Sequence, residues 1–245
     1  MTTLSPPALK AFVREAVGGL RSAIGSLEGT AMAEPSALPG WTRAHVVAHV
    51  DGVSRAIARQ LEHARRGERV AFYDGGMEGR NDRIALGALM APAKLAERAL
   101  EGLDLLERAL GDIPEDGWDA PTSFRGEGTV RDCVLGAWRE ALIHTADLGL
   151  GAGPVDWPSE FSRHLFDFLS VRLPAGTRVV LQPTGRPPVV LGAGGHSTVI
   201  TGMEFDLAAW IAGREPSGPI RATASADASE LPALGPWPSA VPASA

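Results

Sequence analysis

A chain of 245 residues is long enough for one or two domains with a substantial buried core. Its net charge of −6 comes from dispersed charges, which leaves no basic stripe for nucleic acid or an anionic membrane. The single cysteine, Cys133, excludes an internal disulfide and a multi-thiolate metal site, so a bound metal has to use histidine and carboxylate.

The residues Met1-Thr-Thr-Leu-Ser-Pro-Pro-Ala8 lack the charged and apolar regions of a signal peptide, and no run approaches the roughly 18 apolar residues of a membrane span; a cytoplasmic location is expected. From Pro7 to Leu27, apolar residues at Phe12, Val13, Ala16, Val17, Leu20, Ile24 and Leu27 recur at helical intervals behind a proline in the first turn, which predicts a first helix. Pro35 to Gly40 reads as a loop, and Thr42 as the N-cap of a second helix running to Gly67. Glu68 to Asn81 reads as irregular, with Asp74-Gly-Gly76 as its turn signal. A third helix is expected from Asp82 to Leu110, with Pro92 as its point of interruption and Gly111 as its end. Residues 112 to 128 are turn-rich, and Thr129 opens a fourth helix that Gly149 and Gly151 terminate.

Four such helices, each with one apolar face, predict an antiparallel bundle able to host a metal between facing side chains. After Gly151 the pattern changes. A helix from Pro158 to Leu173 precedes short β-branched runs at Thr177–Gln182, Pro188–Leu191 and Ser197–Thr201, then a last helix from Gly202 to Gly213. The fold class is therefore α+β, with a helical bundle over 1–152, a smaller α+β domain over 153–222, and an Ala/Ser/Pro-rich tail over 223–245 in which Trp237 could act as an anchor.

The chemistry concentrates in Arg139-Glu-Ala-Leu-Ile-His-Thr-Ala-Asp147 and His45-Val-Val-Ala-His-Val50. At about 100° per residue, Glu140 and His144 share one helix face, and Asp147 lies close to it. On the second helix His49 sits at the border of the stripe made by Val46, Val50, Val53 and Ile57, while His45 lies further out, so His49 is the better third ligand. Two histidines and a carboxylate leave an open coordination position of the kind a catalytic zinc needs, though other divalent metals suit the same set. Cys133, Gly136 and Ala137 flank Glu140 on this face and would leave room for a metal and a ligand. From spacing alone, a surface Glu–His pair and a satisfied interior His49 remain the stronger explanation, and Cys133 reads more as a small buried hydrophobe than as a redox or nucleophilic thiol. Asp147 could orient a ligand imidazole from behind, or simply lie near the helix end. His63, His164 and His196 carry no signal. Arg80 and Arg214 could each grip a carboxylate, and Arg214 is equally a cation at a helix C-terminus.

Gly40-Trp-Thr-Arg-Ala-His-Val-Val-Ala-His-Val50, Arg139-Glu-Ala-Leu-Ile-His-Thr-Ala-Asp-Leu-Gly149 and Ala212-Gly-Arg214, in this order and spacing, resemble the mycothiol-dependent maleylpyruvate isomerase family of the DinB-like superfamily, as does Gly79-Arg-Asn81. The resemblance spans nearly the whole chain, except for the tail beyond Trp237. It implies a DinB-like four-helix bundle, zinc or another divalent metal on His49, Glu140 and His144, mycothiol as thiol cofactor, and a catalytic, substrate-binding role for Arg214, with Arg80 as a second candidate for a substrate carboxylate. The implied reaction converts maleylpyruvate to fumarylpyruvate by thiolate addition, bond rotation and elimination. A composition with only Lys10 and Lys94 among 23 basic residues is that of a G+C-rich genome, as mycothiol producers have. Two other functions share the same site: a mycothiol S-transferase or thiol-exchange enzyme acting on another electrophile, and a non-catalytic metal-dependent binding protein. The expected partners are accordingly a small thiol and a small electrophile.

Overall fold

The computed structural model describes residues 4–224 and 230–238, and its contacts divide the chain into two compact units, 2–151 and the remainder from Ala152. The N-terminal unit is built on four long helices: α1 (Pro6–Gly25), α2 (Arg43–Arg65), α4 (Pro92–Gly111) and α5 (Val130–Asp147). A shorter α3 (Gly76–Ala88) packs against α2. The α1 pattern buries Leu9, Val13, Ala16, Val17, Leu20 and Ile24, all on the stripe its periodicity defines. From α2 come Val46, Val50, Val53 and Ile57, from α4 Leu95, Leu103, Leu106 and Leu110, and from α5 Val134, Ala137 and Ala141; together they form the bundle core.

The helix termini follow local chemistry. Thr129 and Asp132 form a reciprocal cap at the start of α5, the Thr129 N–H donating to Asp132 Oδ2 at 2.8 Å and the Asp132 N–H to Thr129 Oγ1 at 3.3 Å. Pro92 opens α4, where its missing N–H costs nothing. The predicted third helix is therefore two, broken at Leu89–Ala91, and the first of them starts at Gly76, inside the segment expected to be irregular. Periodicity could not show α3 because Ile84 is its one buried residue. Within the turn-rich stretch, β1 (Pro121–Thr122) and β2 (Gly128–Thr129) pair antiparallel.

The C-terminal unit contains α6 (Ser159–Leu169), continued by a 3₁₀ turn over 170–172, and α7 (Glu204–Ala212). Its four-stranded sheet, β3 (Thr177–Pro183), β4 (Val189–Leu191), β5 (His196–Gly202) and β6 (Arg221–Ala224), runs in the order β4-β3-β5-β6. The β3–β5 pair is parallel and the other two pairs are antiparallel. Strand β6 crosses the expected start of the tail at 223; of that tail, 225–229 and 239–245 lie outside the described residues. The overall class is α+β, with a helical N-terminal part, as the sequence implied. Among the described residues no helix is long and apolar enough to cross a membrane.

Candidate metal centre

The start of α2 is clasped to the end of α5. The Ala37 N–H donates to the Asp147 carbonyl at 2.9 Å, and Arg43 donates from Nε to the Leu148 carbonyl at 2.8 Å and from a terminal nitrogen to the Gly149 carbonyl at 3.3 Å. Near the other end of α2, Gln60 accepts from the Ser123 N–H at 2.8 Å, so the two helices run antiparallel. This register sets His49, in the second turn of α2, opposite the last turns of α5.

There His49 Nε2 stands 2.9 Å and His144 Nε2 3.1 Å from Glu140 Oε2, and the imidazole rings meet edge-on with centroids 4.6 Å apart. One ligand atom from each residue lies within 4.8 Å of the others, and no second trio of this kind occurs among the described residues. Both Nδ1 atoms are already engaged. His144 Nδ1 meets Asp147 Oδ2 at 2.9 Å, and since Asp147 can only accept, the ring carries its proton there and directs Nε2 at Glu140. Arg80 has only donors, so its 3.3 Å contact makes His49 Nδ1 an acceptor. The side chains of His49 and His144 are 6% and 11% exposed but that of Glu140 is 29%, so the site is sealed behind the histidines and open beside the carboxylate. Two nitrogens, one oxygen and an open side fit a divalent metal that keeps a position for an exogenous ligand.

The protonation states follow from these contacts. For Glu140, burial favours the neutral acid, but hydrogen bonds from His144 and His49 outweigh it and hold the carboxyl well below its usual range. Burial also opposes charge on His144, yet its bonds to Asp147 and Glu140 push it up to about 9. His49 is lowered, chiefly by burial, which the Glu140 contact only partly offsets. Without metal, the site at neutral pH therefore holds an anionic Glu140, a cationic His144 and a neutral His49.

The structure brings together His49, Glu140, His144, Asp147 and Arg80. Arg80 lies on α3, not in the irregular segment expected before the third helix. His45 is occupied elsewhere: its Nδ1 accepts from the Thr42 N–H at 3.3 Å and lies 2.8 Å from Thr42 Oγ1, capping α2. The space beside Gly136 belongs to protein, because a Cβ there would meet the Phe124 ring at 2.7 Å. Cys133 is fully buried, donates to Thr122 Oγ1 at 3.5 Å and has its thiol pushed up to about 12 by burial, which removes it as a nucleophile. His63 pairs with Glu68 at 2.6 Å and His164 stacks on Phe168, while the side chain of His196 lies outside the described residues. Arg214 belongs to the C-terminal unit, where one terminal nitrogen donates to the Ala212 carbonyl at 3.1 Å.

Two neighbours of the trio escaped the sequence. Trp41 presents itself edge-on to His49 at 6.1 Å. Tyr73, just before α3, has its phenol pushed up to about 12 by burial and by the Glu140 charge, against the pull of Arg80. Its one signal was being the chain's single tyrosine, beside a Gly-Gly turn.

The model of the mycothiol maleylpyruvate isomerase N-terminal domain matches residues 13–149, and that of the same family's C-terminal domain matches 156–233. The chain belongs to the mycothiol maleylpyruvate isomerase family. Its fold is also that of two crystal structures of the mycothiol-dependent maleylpyruvate isomerase, one of them a histidine-to-alanine mutant. They are 25% and 24% identical to it, with a TM-score of 0.81 over 97% of this chain and 99% of theirs. No curated protein matches the chain. Among the described residues, the trio at the α2–α5 contact is the one group of His, Cys, Asp and Glu side chains placed to hold a metal ion.

Proposed function

We propose that the chain is a maleylpyruvate isomerase that uses a divalent metal, zinc in the first instance, and mycothiol to convert maleylpyruvate to fumarylpyruvate. The convergence of His49, Glu140 and His144 on one point, in a member of this family, carries the reading. Bound there, the metal would favour the deprotonated thiol, which supplies the electron pair that adds to the cis double bond and leaves again once the resulting single bond has turned.

The protein's part is to prepare that chemistry. Asp147 holds the His144 proton on Nδ1 and keeps the ring in place, so that loss of the Nε2 proton would leave a lone pair aimed at the site. Burial keeps His49 neutral, so ligation through Nε2 would need only the move of its ring proton to Nδ1 and no net loss of a proton. Glu140 contributes a single negative charge, so a dication in this trio keeps a net positive charge, which favours an anionic sulfur. Arg80 contacts the His49 ring and would offer its guanidinium to a substrate carboxylate. Arg214, in the family's Ala-Gly-Arg motif, would take the second carboxylate and steady the enolate formed by addition.

The test is to incubate metal-analysed protein with maleylpyruvate, with and without mycothiol, and to identify the product. Mycothiol-dependent formation of fumarylpyruvate is expected. Metal present without conversion would redirect the site to thiol transfer onto another electrophile, and conversion without any thiol would overturn the cofactor assignment.

A further inference from the structure

The C-terminal tail returns to the very motif that carries Arg214. Residues 230–238 have no helix or strand, yet they are tied down at two points. Gly235 and Arg172 exchange bonds, the Gly235 N–H donating to the Arg172 carbonyl at 2.7 Å and Arg172 Nε to the Gly235 carbonyl at 2.8 Å. Two residues on, the Trp237 indole N–H donates to the Ala212 carbonyl at 3.1 Å. That is the same carbonyl to which Arg214 donates at 3.1 Å. It belongs to the last turn of α7, whose carbonyls have no partner within the helix. Gly213, at φ 68°, turns the chain in the left-handed region that glycine tolerates and brings the Arg214 N–H to the Ala209 carbonyl at 2.8 Å.

The indole thus covers the end of α7, and the guanidinium carbons of Arg214 and Arg172 stand 5.9 and 5.7 Å from its ring centre. Arg172 is itself held by donation to the Ile211 carbonyl at 2.6 Å. The two arginines repel one another, and an aromatic ring is one of the few uncharged groups that attracts both. Phe168 backs the indole at 6.1 Å, and Pro236 and Pro238 flank it, limiting the freedom the segment must lose when it docks. The family's C-terminal model ends at Ala233, so the Gly235–Trp237 strap lies beyond the part of the chain it matches.

We infer that Trp237 is a positioning residue for Arg214: by sharing the Ala212 carbonyl and offering its ring face, it holds the guanidinium in the orientation that receives a substrate carboxylate. This rests on the substrate-binding reading of Arg214 above. A flexible arginine loses rotamer freedom when it binds, and a side chain already held by a ring and a carbonyl has less to lose.

The experiment is a double-mutant cycle on the metal-loaded, mycothiol-supplied enzyme with maleylpyruvate as substrate, using Trp237→Ala, Trp237→Phe, Arg214→Ala and the Trp237→Ala/Arg214→Ala pair. Trp237→Ala should raise KM for maleylpyruvate about tenfold with little change in kcat, the scale of one half-buried cation–π contact. Trp237→Phe, which keeps a ring face and loses the N–H, should recover most of that, and Trp237→Ala should do nothing further once Arg214 is gone. Metal content and helical circular dichroism should match wild type throughout. If Arg214→Ala is impaired but Trp237→Ala has wild-type KM, or if the two losses simply add, the positioning role is overturned and the Arg214 reading stands. If Arg214→Ala itself behaves as wild type, both fall.

Discussion

The protonation pattern around Glu140 makes metal binding compete with one particular proton. With His144 pushed up to about 9, its Nε2 still carries a proton at pH 7, and a metal has to displace it. Glu140 is already ionised and His49 already neutral there, so neither adds to the competition. Two pH units of mismatch weaken the apparent affinity roughly 100-fold at pH 7 relative to high pH, about 2.7 kcal/mol. Affinity should therefore climb about tenfold per unit between pH 7 and 9 and level off above, with about one proton released per metal bound at pH 7. Asp147→Asn separates the two effects of the carboxylate. It replaces the charged acceptor of the stronger of the two hydrogen bonds that raise His144 with a neutral amide, so the plateau begins at a lower pH. It also weakens the ligand, by about 10- to 100-fold on the plateau, the usual cost of losing such an outer partner. At pH 7 the first effect offsets much of the second, so the variant's deficit should be larger at pH 10 than at pH 7. Chelator competition across this range, with proton release from calorimetry in buffers of different ionisation enthalpy, reads both. A wild-type affinity independent of pH between 7 and 9, or a variant parallel to wild type throughout, would refute the reasoning.

The same shifts set the stability of the metal-free protein. A raised His144 contributes stability that is complete below the ordinary histidine value of 6.5 and is lost as pH rises through about 9, while the depressed Glu140 contributes above its ordinary 4.5 and loses that as pH falls; calorimetry with chelator present should show Tm declining from pH 7 to 10, and a steady rise would contradict the assignment. His49→Ala and His144→Ala should each lose metal and turnover together, and stoichiometric metal retained in both would sink the ligand set. Arg214→Ala should keep its metal but lose about 10- to 100-fold in kcat/KM for maleylpyruvate, the scale of one charged carboxylate contact; wild-type kinetics would return the residue to a role at the helix end. Finally, ligation through His49 Nε2 leaves the ring proton on Nδ1, which can then no longer accept from Arg80, so the 3.3 Å contact should open in the metal-loaded protein. A crystal structure of that form with the contact intact would count against Nε2 as the ligand atom.

What the sequence could and could not say divides along one line. Spacing within α5 was legible, because helical geometry is fixed: Glu140, His144 and Asp147 at i, i+4 and i+7 fall within about 60° of one another on any α-helix. The preference for His49 over His45 came from the same arithmetic. Relations between segments were not legible. Nothing in the periodicity of α2 says which turn of α5 it meets; that is decided by Ala37 and Arg43 reaching the last carbonyls around Asp147 and Leu148. Nor could composition show that the clearance beside Gly136 goes to the Phe124 ring, which arrives from a loop twelve residues upstream. Arg80 was misplaced for a different reason. The Gly75-Gly76 pair signals a turn, and it is one, but the turn opens a helix whose polar surface leaves no apolar stripe to detect.

Asp147 shows why the two kinds of information meet at this site. Its side chain sets the His144 tautomer, a consequence of spacing along α5, while its backbone carbonyl receives the Ala37 N–H, a consequence of how the chain enters α2. One residue thus ties the orientation of a ligand to the register that brings His49 across from it. A substitution such as Asp147→Asn weakens the first function and leaves the second, because a side-chain change does not touch the carbonyl. The trio should then still assemble with its proton balance altered, which is why the pH dependence of metal binding, rather than its mere presence, is the sharper measure of how this site works.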